Sequence, residues 1–127
     1  MQPNALDNSR FEQDLPKLLR AVERLQRSLE EIRRQIQARL KPDAWSIWTA
    51  LIADKLSLVK SWRDALIRSI QDGKYQTWEL RHALGDMRAV SRVMDLDAGW
   101  STEETNFSAA RTAVFELAKP LDNALRP

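Results

Sequence analysis

The sequence predicts an all-α fold, an elongated bundle of about four helices with a long, coiled-coil-like helix at the N-terminal end. Three observations carry this. The 127 residues include only three glycines and five prolines, so turn chemistry is scarce and divides the chain into long uninterrupted segments. Within each segment apolar residues recur at spacings of three and four, the period of one helix face, and no stretch alternates as a half-buried strand does. Hydrophobic residues at 43% and charged residues at 30% supply one core and are too mixed in sign for a disordered tail. The expected organisation is a loosely held arm at 1–13, one helical domain at 14–119 and a short tail at 120–127.

The arm carries Pro3, Asn4, Asp7, Asn8 and Ser9, with Phe11 as its one residue placed to dock. The first helix is expected to start with Asp14 as N-cap and Pro16 in the first turn, where a missing amide donor costs nothing. It runs to about Leu40. Leu15, Leu18, Val22, Leu25, Leu29, Ile32 and Ile36 alternate three- and four-residue steps, which is a heptad seam. Lys41-Pro42-Asp43 breaks this pattern, because the residue before proline disfavours helical geometry and Asp43 can cap a second helix.

The second helix extends to about Asp72 with two apolar stripes. One holds Trp45, Trp48, Ile52, Leu56, Val59, Leu66 and Ile70, the other Ile47, Leu51, Leu58, Trp62 and Ala65. Two stripes predict a central helix covered from both sides. Gly73 then supplies the left-handed C-cap. A third helix spans roughly Tyr75 to Asp95 with Leu80, Ala83, Leu84, Met87, Val90 and Met94 inward. Ser101 and Glu104 form a capping box that opens a fourth helix, carrying Phe107, Ala110, Val114 and Leu117 and ended or kinked at Pro120.

Catalytic chemistry finds little to work with. There is no cysteine and one histidine, which removes disulfides, thiol nucleophiles, cysteine zinc sites and histidine-rich metal sites. His82 lies three residues after Glu79 and four before Asp86, so a carboxylate can orient it. Glu79-Leu80-Arg81-His82 has the spacing of half a di-iron carboxylate site, but the second half is missing from the chain. No phosphate-binding glycine loop or nucleophile elbow occurs either. The expectation is a protein without enzymatic activity, cofactor or metal. No apolar run reaches the roughly 18 residues of a membrane span and the N-terminus has no signal-peptide pattern, so a cytoplasmic protein is expected.

The net charge of +2 does not by itself argue for nucleic acid. Arg20, Arg27 and Arg34 nonetheless repeat every seven residues on the face opposite the seam, with Arg24 and Lys41 near the same line. Glu23, Glu30 and Glu31 stand three or four residues from these arginines and can pair with them, so a solvated face is the first reading and a phosphate-binding ridge the alternative. On the third helix Arg81, Gly85, Arg88 and Arg92 share one face. A mid-helix glycine costs about 1 kcal/mol against alanine. It is therefore read either as room for an approaching backbone, whose carboxylates the arginines would pair, or as one poorly chosen residue on a solvated face. Five tryptophans are many for this length, and Trp45, Trp48 and Trp62 fall on one helix. They would crowd a small core, so at least one is expected to face a partner chain.

Residues 64–96, DALIRSIQDGKYQTWELRHALGDMRAVSRVMDL, resemble a segment common in small all-helical proteins encoded by tailed bacteriophages. There an apolar helix ends in a glycine turn, and a second helix carries Leu-Arg-x-x-Leu-Gly-x-(Met/Leu)-Arg; Gly73, Arg81, Gly85 and Arg88 match best. The resemblance implies an accessory structural or assembly protein of a virion, present in the host cytoplasm during assembly, and transfers no catalytic residue. The apolar seam and stripes look too extensive for one short bundle to cover. A homo-oligomer, or docking on a larger capsid, portal or tail component, is therefore expected. The contacts would come from Leu18, Val22, Leu25, Leu29, Ile32, Ile36, Trp45, Trp48 and Trp62, with Arg81, Gly85, Arg88 and Arg92 secondary. A small helical regulator of nucleic acid or a host protein is the alternative, and no membrane partner is expected.

Overall fold

A computed structural model describes the backbone of residues 3–39, 42–94 and 101–125, and the side chains of 8–39, 50–94 and 106–125. It contains four helices: α1 (Pro3–Arg39), α2 (Pro42–Asp72), α3 (Trp78–Val90) and α4 (Ser101–Leu125). Among the described residues there is no strand, and no helix is long and apolar enough to cross a membrane. The all-α bundle expected from periodicity is what forms.

Each helix packs on two neighbours in a ring, α1 on α2 and α4, and α3 on α2 and α4. Gln26 of α1 meets Arg63 of α2 and Phe11 meets Tyr75 beyond the end of α2, so these two helices are antiparallel. Arg88 with Asp122, Arg92 with Phe115 and Arg111 with the Met94 carbonyl give the same antiparallel order for the chain from α3 onward against α4. The central-helix expectation for α2 is thereby corrected. Its first stripe is buried at Ile52, Leu56, Val59 and Leu66; of the second, Trp62 and Ala65 are buried and Leu51 is exposed. A ring of four needs no central member, because every helix turns one broad face inward.

The arm and the tail are corrected as well. Helix α1 begins at Pro3 and carries Pro16 inside it, so Asp14 is not its N-cap. The reason is that the seam continues upstream. Phe11 lies one turn before Leu15, is fully buried and stacks on Tyr75 with ring centroids 5.5 Å apart. An interior proline costs about 3 kcal/mol, and full burial of a phenylalanine returns about 1.5–3 kcal/mol before the stacking is counted. Helix α4 likewise passes Pro120 and ends at Leu125. Leu121 and Asp122 beyond the proline are both buried, continuing the face of Val114 and Ala118.

Helix α3 is shorter than periodicity suggested. Thr77 has extended backbone and its hydroxyl accepts from the Leu80 amide at 3.2 Å, so it is the N-cap, and Tyr75 lies outside the helix against Phe11. At the other end the Ser91 hydroxyl donates to the Met87 carbonyl and competes with continuation of the helix. The chain turns there, and Met94 is buried just beyond. Gly73 has φ +65°, with its amide donating to Ser69 at 2.9 Å, which is the C-cap expected after Asp72. The break at Lys41-Pro42-Asp43 falls between Arg39 and Pro42, and α4 opens at Ser101 as expected. The capping side chains Asp43, Ser101 and Glu104 lie outside the described residues.

Candidate functional site

The seam proposed for partner contact is turned entirely inward. Leu18, Val22, Leu25 and Leu29 have 0% exposure and Ile32 and Ile36 have 1%. They form one cluster with Ile52, Val59, Trp62, Leu80, Leu84, Val114 and Leu121 from the other helices. The expectation that these residues hold an oligomer is corrected for the folded chain, since the covering the seam needs is supplied by α2 and α4. Spacing alone shows that a heptad face must be covered, and is silent on whether the cover comes from the same chain. Trp62 is also core, 1% exposed, and its indole Nε1 has no hydrogen-bond partner among the described residues. Trp45 and Trp48 lie outside the described side chains.

The arginine stripe of α3 splits into two roles. Arg88 donates to the buried carboxylate of Asp122 at 3.0 Å and to the Asn123 side-chain oxygen at 2.6 Å. Arg92 sits 5.4 Å from the centre of the Phe115 ring. Both therefore fasten α3 and its C-terminal turn to α4 of the same chain. Of the arginines expected to pair with carboxylates of an approaching element, Arg88 does so, and the element is α4 of the same chain. Gly85, half-buried, lies between Arg81 and Arg88 on that side. Arg81 is different, being exposed and directed to a groove.

That groove is the site the periodicity did not reveal. It has a volume of about 420 Å³ and is lined by Trp78, Arg81, His82, Asp122 and Leu125. Trp78 is 74% exposed, the largest exposure among the described large apolar side chains. Its ring stacks on His82 with centroids 4.9 Å apart and planes 8° from parallel. His82 Nε2 in turn lies 3.5 Å from the Asp86 carboxylate, so Trp78, His82 and Asp86 form a ladder at four-residue steps. One turn of the same helix is anchored from outside, because Glu79 accepts from Arg68 of α2 at 2.5 Å. A rigid aromatic plane kept in water beside a cation is the kind of anchor that interfaces use.

The sequence carries one signal for this site. With Leu80, Leu84 and Met87 inward, Trp78 falls about 200° from Leu80 at 100° per residue, hence outside. The three tryptophans of α2 are the more conspicuous group, and Trp78 stands apart from them. Among the described residues no three His, Asp or Glu side chains gather as a metal site, and His82 has its one carboxylate neighbour.

A second surface lies on the far side of α1. Arg24, Arg27, Ser28 and Glu31 border a groove of about 430 Å³ against Asn106 of α4. Arg34 forms a two-pronged hydrogen bond with Glu31, which holds that carboxyl below the ordinary glutamate range; burial opposes the shift, and the Arg34 charge and Gln35 add to it. Glu31 thus stays an anion paired to its own helix at neutral pH. The chain matches no known family model, no curated protein and no solved structure.

Proposed function

We propose that this chain is a non-catalytic helical accessory protein that docks, as a closed bundle, on a larger protein assembly through the Trp78 corner. The carrying observation is the contrast in exposure: the heptad seam is spent on the chain's own core, while Trp78 stays in water, propped flat on His82 beside Arg81. Aromatic and arginine side chains concentrate the binding energy of protein interfaces, and a ring fixed by stacking loses little entropy on binding. The resemblance of residues 64–96 to accessory proteins of tailed phages supplies the setting, a virion in which the larger component is a capsid, portal or tail protein.

The test is co-purification with particles assembled in its presence. The wild-type chain is expected to sediment with them, and Trp78→Ala to remain in the soluble fraction while keeping its helical circular dichroism. Loss of a central aromatic anchor typically costs 2 kcal/mol or more of binding, about thirtyfold in affinity. A wild-type chain that never sediments with particles, or a Trp78→Ala chain that does so equally well, would contradict the proposal.

A further inference from the structure

We infer that the solvent ridge of α1 is a binding surface for the phosphate backbone of a double-stranded nucleic acid. Between positions 10 and 34 eight residues of α1 are exposed, and six are cations: Arg10, Lys17, Arg20, Arg24, Arg27 and Arg34. The other two are Glu12 and Gln13. The remaining acids of that stretch, Asp14, Glu23, Glu30 and Glu31, are half-buried on the flanks. The segregation is internal to the helix, and the small net charge of the whole chain conceals it.

The pairing pattern sharpens this. Asp14 is shared by Arg10 at 3.7 Å and Lys17 at 3.9 Å, and Glu31 is taken by Arg34. Arg20, Arg24 and Arg27, in the middle of the ridge, make no ion pair among the described residues. They stand at four- and three-residue steps on one line, and Arg24 and Arg27 border the groove with Asn106. Intrahelical pairing with the nearby glutamates was the reason to read a solvated face, and for these three the structure does not show it.

The geometry selects the ligand. From Arg10 to Arg34 the ridge is roughly 36 Å long, about one turn of B-form duplex, so one rigid rod can meet phosphates across a full turn. No exposed residue of the ridge is aromatic, and single strands are held by stacking platforms as well as charge. An anionic membrane is also disfavoured, because a surface-lying helix must offer an apolar face, and the apolar face of α1 is buried. Helices α2 and α4 flank α1 on both sides, which keeps the helix from sinking into a groove and limits it to backbone contacts. Binding is thus sequence-independent, with dissociation constants of about 1–100 µM at physiological salt.

The experiment is fluorescence anisotropy of duplex DNA and duplex RNA of about 20 base pairs, titrated with the full chain over roughly 50–200 mM salt. Affinity is expected to fall steeply and log-linearly with salt on at least one duplex; the ratio between the two says which duplex is preferred. Replacing Arg20, Arg24 and Arg27 together by glutamine should make that slope shallower by about 2.7, since each cation contributes about 0.9. Lysine at the same three positions should restore it, which separates charge from helix damage. Trp78→Ala should leave duplex binding unchanged, so failure of the docking proposal and failure of this one are distinguishable. No duplex binding at the lowest salt, an unchanged slope in the glutamine variant, tighter binding of a single strand, or binding of phosphatidylserine vesicles in place of duplexes would each overturn the inference.

Discussion

Leu25→Asp is expected to abolish the folded state, whereas Arg27→Asp, two residues away, should change stability by no more than about 0.5 kcal/mol. Leu25 has no exposure and sits mid-seam among apolar side chains of α1 and its neighbours. A carboxylate there has no cation to pair with, and it either stays charged at a cost of several kcal/mol or takes up a proton and remains an unmet polar group. The lost leucine packing adds about 2–5 kcal/mol. The sum approaches the 5–15 kcal/mol that stabilises a typical domain. Arg27 is exposed on the ridge. Urea titration followed by circular dichroism compares the two, and equal midpoints would mean the seam is not the core.

Trp62→Ala is the second large effect, with an expected loss of about 3–5 kcal/mol. Trp62 is the bulkiest of the fully buried side chains among the described residues, so truncation opens a cavity between helices that cannot close without moving one of them. Trp62→Phe should cost much less. The smaller ring leaves some void, but it also removes an indole donor that has no acceptor among the described residues, a defect worth about 1–3 kcal/mol on its own. Chemical denaturation of both variants reads the difference. A phenylalanine variant as unstable as the alanine one would mean that the Nε1 group is satisfied in solution.

Much of the fold was legible because a few rules agreed. The heptad of Leu15 to Ile36, the proline at 42 and the glycine at 73 each marked a feature that the structure contains. Helix ends were less legible where tertiary burial competed with local rules. Pro16 and Pro120 read as boundaries, yet Phe11 and Leu121 bury enough beyond them to carry the helices through. In the other direction, Thr77 and Ser91 shorten α3 by side-chain hydrogen bonds that a periodic pattern does not register.

The candidate surfaces were harder to read for a different reason. A seam shows that an apolar face needs cover without saying whose side chains provide it, and here the same chain does. The arginines of α3 could be grouped by face, but their separation into internal fasteners, Arg88 and Arg92, and one groove residue, Arg81, depends on where α4 returns. On α1 the positions of both charges were visible. What decides the reading is which arginines the glutamates take, and Glu31 goes to Arg34, leaving the line through Arg20, Arg24 and Arg27.

That one chain covers its own seam is tested most directly by the concentration dependence of unfolding. An assembly whose core is shared between copies gains stability by mass action, and its unfolding midpoint rises with protomer concentration. For a bundle closed within the chain, the urea midpoint should be the same across roughly 1–100 µM protein. A midpoint that climbs steadily over that range would show that Leu18 to Ile36 pair between chains, and would contradict the closed bundle.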